Sequence, residues 1–490
     1  MAFGGYGNAP GNLGDPGHLN DLWKYNISTN QWTWMKGDST ANHYGVYGTQ
    51  GLATPANKPG SRLGSISWSD RSGNLWLFGG DGYAQSNSSV LNDLWRYNIS
   101  TNQWTWVKGD STVKQYGVYG TQGIEAAANK PGARIYSISW TDLSGNLWLF
   151  GGHGGHRYTF NFGDMNDLWR YNISRNQWTW MKGDSTAKVY DAAYGDSTAN
   201  PYGVYGTQGI AAAANQPGSR VASISWTDLS GNLWLFGGDG CSAASIGYLN
   251  DLWKYSVSDN RWTWVQGDTT VNALGVYGVK GIPGAANKPG ARDGGISWID
   301  LSGNLFLFGG YGLSAGTFGH LNDLWEYNIS NNQWTWVKGD SIMDVNSVYG
   351  TQGIASAANK PGGRWTGVSW TDLSGNLWLF GGFGFVRPGF DLLNDLWKLN
   401  NAPALPMTQN GQEIIVYPTV TNGHINIKLP PGFENIAVRV LNMIGQEMIV
   451  DYSNTSTRAI NLSAFADGIY LVQAGDKRKI FKTTKVMLIR

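Results

Sequence analysis

Cysteine is almost missing from this chain. Cys241 is the single one in 490 residues, so no internal disulfide framework holds the fold together. Charge is scarce as well: only 14% of residues are Asp, Glu, Lys or Arg, and the net charge is +1. Such a balance gives no electrostatic ground for binding nucleic acid or an anionic membrane surface. No apolar run approaches the roughly 20 residues of a membrane-spanning helix. P-loop, dinucleotide and nucleophile-elbow signatures are absent. The chain is instead rich in tryptophan and glycine, with 26 and 69 respectively. That pairing fits many short strands joined by tight turns, not disorder, which lacks aromatics.

The unit behind this composition is clearest at residues 134–183. It reads RIYSISWTDLSGNLWLFGG, a variable stretch, then NDLWRYNISRNQWTWMKG. Four strands are predicted, over 135–140, 146–150, 167–171 and 177–181, from β-branched and aromatic residues alternating with polar ones. The second is expected to stop at Gly151-Gly152. Asp142-Leu-Ser-Gly-Asn146 and Asn172-Ile-Ser-Arg-Asn176 are the turns, which makes Asn-Ile-Ser a turn and not a glycosylation site. A four-stranded meander with apolar residues on both faces needs copies of itself on either side. The copies are present. NDLW recurs six times, its tryptophans Trp23, Trp95, Trp169, Trp253, Trp325 and Trp397 lying 72, 74, 84, 72 and 72 residues apart. The longest interval holds a second GDSTA at 195–199.

Repeated four-stranded units predict an all-β propeller. A Gly-Gly pair closes strand two, and six residues separate a Tyr from a Trp in Tyr25/Trp32, Tyr97/Trp104, Tyr171/Trp178, Tyr255/Trp262 and Tyr327/Trp334. In this the chain resembles the kelch repeat, as in galactose oxidase-like central domains. Residues 1–400 are expected to form the propeller, with six blade units of which both end units are incomplete. A six-bladed ring with one thin seam is preferred over a truncated seven-bladed one. The opening MAFGGYGNAP reads as the end of a strand two and lacks the features of a signal peptide, so an upstream segment carrying one is expected. Residues 401–412 read as a linker.

From 413 onward tryptophan disappears and seven shorter strands are predicted, an immunoglobulin-like β-sandwich. The order VYPTVTNGHINI, VRVLNMIGQEM, INLSAFADGIYLVQ resembles a type IX secretion C-terminal sorting domain of the Bacteroidetes type. That resemblance implies a secreted or surface-attached protein, recognition by an outer-membrane translocon, and removal of the tail or lipid attachment after export.

Strand order sorts the loops. Turns one–two and three–four, short and nearly identical, share one face of the disc. The stretches 81–91, 153–165, 239–249, 311–321 and 383–393, with the long connections between blades, share the other, where binding residues are expected. Two groups stand out there. Arg62, Arg134, Arg220, Arg292 and Arg364 open the innermost strands and suit carboxylates or sugar hydroxyls, or else tie each long connection to the neighbouring blade. The residues after them differ between blades, and Tyr136, Asp293 and Trp365 are the individual candidates for a selective pocket. The Trp-Thr-Trp strands read as packing between blades, although exposed indoles would also suit a lectin. Asp293 with Asp81, Asp164, Asp239 or Asp391 would make a glycosidase-type carboxylate pair.

Metal chemistry has little support. His153 and His156 are the only close histidine pair, without further ligands at metal spacing. A galactose oxidase-like copper site, with its Tyr–Cys crosslink, has no counterpart around Cys241. The expectation is therefore non-catalytic recognition of a glycan or protein, without a cofactor. The alternatives are a carbohydrate-active enzyme on the same face and a structural surface adhesin.

Overall fold

In the computed structural model, the residues described are 1–490 except 11–14, 156–161, 186–201, 315, 373, 387–388, 401–413, 419, 430–435, 443–445, 453–454, 476–479 and 490. The expected linker, the second GDSTA and His156 lie outside the described residues.

Alternating large apolar side chains drive each repeat into a meander sheet. In blade three the strands are Arg134–Ile135 and Ile138–Thr141, then Leu147–Gly155, Phe162–Asn172 and Gln177–Lys182. Both turns form as their chemistry dictates. Asp142 Oδ1 accepts from the Ser144 and Asn146 amides, and its Oδ2 accepts from Trp148 Nε1. Asn172 Oδ1 accepts from the Ser174 hydroxyl and the Arg175 amide.

Two expectations change. The Gly-Gly pair does not end strand two; it bulges it. Pairing with strand three slips between Phe150 and Gly152 and then continues to Gly155. Both glycines have positive φ, 62° and 95°, and a Cβ on Gly151 would lie 2.8 Å from the Arg220 carbonyl of the next blade. Only glycine permits that approach. Most of the stretch read as a variable loop is therefore a hairpin extension. Strand one, in turn, is split by a left-handed residue, Tyr136 in blade three.

Blades join through aromatic wedges. Trp148 and Phe150 of blade three meet Tyr255 and Trp262 of blade four at 5.5 and 5.7 Å between ring centroids. The same pairs occur between blades two and three and between blades four and five. They recur between blade six and blade one, Trp378 with Tyr25 and Phe380 with Trp32. The ring thus closes at six blades. This seam is the thin one, because among the described residues blade one shows three strands, Ala2–Gly7, Gly17–Asn26 and Gln31–Lys36. Trp23 of blade one remains exposed, where its counterparts Trp95 and Trp169 are fully buried. The Trp-Thr-Trp strands are packing elements: Trp104, Trp178, Trp262 and Trp334 are buried in the wedges.

Each long connection carries the motif that reads YGVYGTQGI at 116–124, or a variant of it. It runs along the outer strand of the following blade: Gly123 N–H donates to the Trp180 carbonyl at 2.7 Å, and Ala126 bridges Trp178. An otherwise open sheet edge is covered. Further along the chain, two sheets form a sandwich. One holds Ile415–Tyr417, His424–Lys428 and Thr457–Asn461. The other orders Val420–Thr421, Ile480–Leu488, Gly468–Gly475, Ala437–Asn442 and Glu447–Asp451. Ile425, Ile427, Val438, Val440, Val472 and Val486 form its core.

Candidate functional site

The five arginines do not face the channel. Arg134 is buried, with Nη1 and Nη2 donating to Asp167 Oδ1 and Oδ2 at 2.7 and 2.8 Å. Its remaining donors reach the Gly132 and Gly151 carbonyls. Asp167 accepts in addition from Tyr119 Oη of the connection and from Trp169 Nε1. Arg62, Arg220, Arg292 and Arg364 repeat the bidentate pair with Asp93, Asp251, Asp323 and Asp395. The arginine fork does hold a carboxylate, but it is that of the blade's own NDLW motif. These residues tie connection, inner strand and third strand together, and they are buried away from any ligand.

Tyr136, Asp293 and Trp365 do converge, from blades three, five and six. The position after each Arg-x is left-handed, with φ near 50–63° at Gly64, Tyr136, Ala222, Gly294 and Thr366. These residues form an inter-blade chain of backbone bonds around the channel: Tyr136 N to Gly64 O, Ala222 N to Tyr136 O, Gly294 N to Ala222 O and Thr366 N to Gly294 O, at 2.7–3.0 Å. A tyrosine held at φ 57° is strained by about 1–3 kcal/mol, as are Ala222 and Thr366 at the same position, and the inter-blade bonds hold them there. Its ring meets the Trp365 indole edge to face at 5.6 Å. Blades three and six are opposite in a ring of six, so the two rings meet across the channel mouth.

Trp365 is positioned by its neighbours. Its Nε1 donates to Asp293 Oδ1 at 3.0 Å, and its indole lies against Gly294, where a Cβ would sit 2.0 Å from Nε1. Gly294→Ala is therefore expected to displace the indole and to cost about 1–3 kcal/mol through the left-handed backbone. A crystal structure of the variant with the indole unmoved would refute this.

A second row of variable residues follows each Gly-Gly pair: Tyr6, Asp81, His153, Asp239, Tyr311 and Phe383. The register sets them beside the first row, Ile135 opposite His153, Val221 opposite Asp239, Asp293 opposite Tyr311 and Trp365 opposite Phe383. A cavity of about 300 Å³ lies between Ile135, Tyr136, His153, Asp164, Val221 and Asp239. His153 Nδ1 is 2.8 Å from Asp164 Oδ1. On another side of the mouth Tyr248, Tyr311, His320, Phe383 and Phe390 touch in series. The mouth is thus acidic on one side and aromatic on the other.

Its electrostatics are unusual for a nearly neutral protein. Asp293 is 8% exposed. Burial, reinforced by the charge of Asp239, raises its pKa to about 7. Asp239 is raised too, by burial and then by Asp164. Burial first, then the charges of Asp293 and Asp81, raise Tyr136. His320 is lowered by burial, against the opposing charge of Asp344. Asp391, in contrast, sits exposed on the third strand of blade six. Variation within a constant frame is the signal that marks Asp293 and Trp365, and the same signal marks the row after Gly-Gly.

Comparison with known proteins agrees with this architecture. Residues 415–490 match the family model "Secretion system C-terminal sorting domain". Kelch domain-containing protein 10 of Bos taurus and of Homo sapiens are each 22% identical to this chain over 344 residues, 68% of this chain and 56% of theirs. Multiple epidermal growth factor-like domains protein 8 of Mus musculus is 32% identical over 118 residues, 24% of this chain and 4% of its own length. The chain thus spans little more than half the length of the curated kelch relatives. It combines a kelch-type β-propeller with a type IX secretion C-terminal sorting domain, and that tail marks a secreted or cell-surface protein which engages the secretion machinery.

Proposed function

We propose that the propeller binds a glycan in the cup at its channel mouth, and that the sorting tail serves to place this recognition module outside the cell. The observation that carries the reading is the convergence of Tyr136, Asp293 and Trp365 from three blades on one mouth. Aromatic faces stack on the C–H faces of a pyranose, and carboxylates accept from its hydroxyls. A concave site with a few convergent polar groups is what such a ligand needs. The outer connections, in contrast, are constant between blades and committed to covering sheet edges. A second reading, carbohydrate-active enzyme, is favoured by one observation: a carboxyl poised near pH 7 beside another carboxylate suits proton transfer.

The test is a glycan array and polysaccharide pull-down with the full chain, read beside Trp365→Ala and Asp293→Ala. Selective binding is expected, weakened at least about tenfold in both variants, which corresponds to a loss of about 1.4 kcal/mol or more. Binding that survives both variants, or no glycan bound at all, refutes the proposal. A reducing-end assay on any polysaccharide retained separates recognition from turnover: new ends that disappear in Asp293→Ala favour the enzyme.

A further inference from the structure

We propose that the glycan held at the channel mouth is an amino sugar, its ammonium group paired with the buried carboxylate of Asp293. This rests on the glycan reading above and narrows it to one chemical class. Buried carboxylates elsewhere in the blades are compensated. Asp93, Asp167, Asp251 and Asp323 each hold an arginine fork. Asp142 and Asp228, in the short turns, accept from backbone amides and an indole. Asp293 is about as buried as these turn residues, yet its one side-chain donor is the neutral Trp365 indole. Among the described residues no lysine, arginine or histidine stands at ion-pairing distance from it.

This carboxylate faces the shared mouth and not its own blade. The groups within reach of its charge are Tyr136 on blade three and Asp239 and Tyr248 on blade four. Negative charge accumulates there. Asp164 and Asp239 line the cavity of about 300 Å³ beside Tyr136. Burial, and then repulsion from a neighbouring carboxylate, raises the pKa of both Asp293 and Asp239. The histidines described nearby already have acidic partners: His18 lies 3.4 Å from Asp81 and His153 2.8 Å from Asp164. A cation brought by the ligand stabilises the charged form of such carboxylates.

The surroundings fit an ammonium carried on a sugar. Tyr136 belongs to the cavity and also meets Trp365, so two aromatic rings border the carboxylates and attract a cation through their π faces. On the other side of the mouth Tyr311 and Phe383 flank His320, and Phe390 is 46% exposed. These rings offer apolar faces to the C–H side of the next sugar in a chain. A hexosamine has both features, a cationic edge and apolar faces. A lysine side chain has only the cation.

The test is titration calorimetry of the full chain at pH 7 and physiological salt with three probes: a glucosamine hexamer, its fully N-acetylated counterpart and hexalysine. The glucosamine hexamer should bind at least about tenfold more tightly than either of the others. Asp293→Asn keeps the size and an acceptor for Trp365 but not the charge. It should abolish the preference while the variant still unfolds cooperatively in urea. The inference is overturned if the glucosamine hexamer does not bind, if the acetylated form or hexalysine binds as tightly, or if the preference survives Asp293→Asn. Any of these leaves the glycan reading standing when the array shows another sugar bound through Trp365. An array with no bound glycan removes that reading itself.

Discussion

Asp293→Asn is expected to make the protein more stable above pH 7. The folded-state pKa of Asp293 is raised to about 7 from the usual 3.8 by burial and by the nearby charge of Asp239. Between these two values the folded state holds a proton that the unfolded state has released. Stability from this group is therefore fully present below about pH 4 and is lost as pH rises through 7. A difference of about three pH units corresponds to about 4 kcal/mol. Asn keeps an acceptor for Trp365 Nε1 and cannot ionise, so it escapes that loss. Urea denaturation at pH 4.5 and pH 8 checks this: the variant's advantage over the wild type should be clearly larger at the higher pH. Equal midpoints at pH 8 would show that Asp293 carries no such cost. A carboxylate kept against its own solvation is the kind of feature that a binding site retains at the expense of stability.

Arg134→Ala is expected to act in the opposite sense, lowering stability by about 3–5 kcal/mol without a specific effect on ligand affinity. Removing the guanidinium leaves Asp167 buried and its charge uncompensated. Tyr119 and Trp169 still donate to that carboxylate, which softens the loss but does not replace the ion pair. Replacing both Arg134 and Asp167 with apolar residues should not restore stability, because those two donors would then be left without an acceptor. Chemical denaturation gives the stability change, and glycan affinity corrected for folded fraction gives the other half. An affinity loss with stability unchanged would return Arg134 to the ligand site.

These two residues illustrate how much was legible in the sequence. Repetition at about 72 residues, the Asp and Asn turns and the paired tryptophans prescribe the blades, because each is a local signal repeated many times. Variation after each PG-x-R singled out Asp293 and Trp365, with Tyr136 one step further on. For the arginines the sequence leaves open a ligand or a structural tie, and in the structure each fork is buried against a carboxylate of its own blade. Their chemistry, a fork for a carboxylate, was read correctly, but the partner lies 31–33 residues away inside a constant motif. The glycine pair looked like a stop because positive φ ends most strands, whereas here it makes a bulge that carries the strand on to the mouth. That Tyr136 and Trp365 face each other from opposite blades depends on the ring closing at six, which no local pattern encodes. Edge coverage by the long connections was equally invisible, since it arises between one blade's loop and the next blade's strand.

The most direct test of the account is a crystal structure of the full chain with the glycan selected by the array. The account predicts a sugar ring seated at the Tyr136–Trp365 pair, with hydroxyls within hydrogen-bonding distance of Asp239 or Asp293. A glycan bound on the outer connections, or on the face of the short turns, would contradict it.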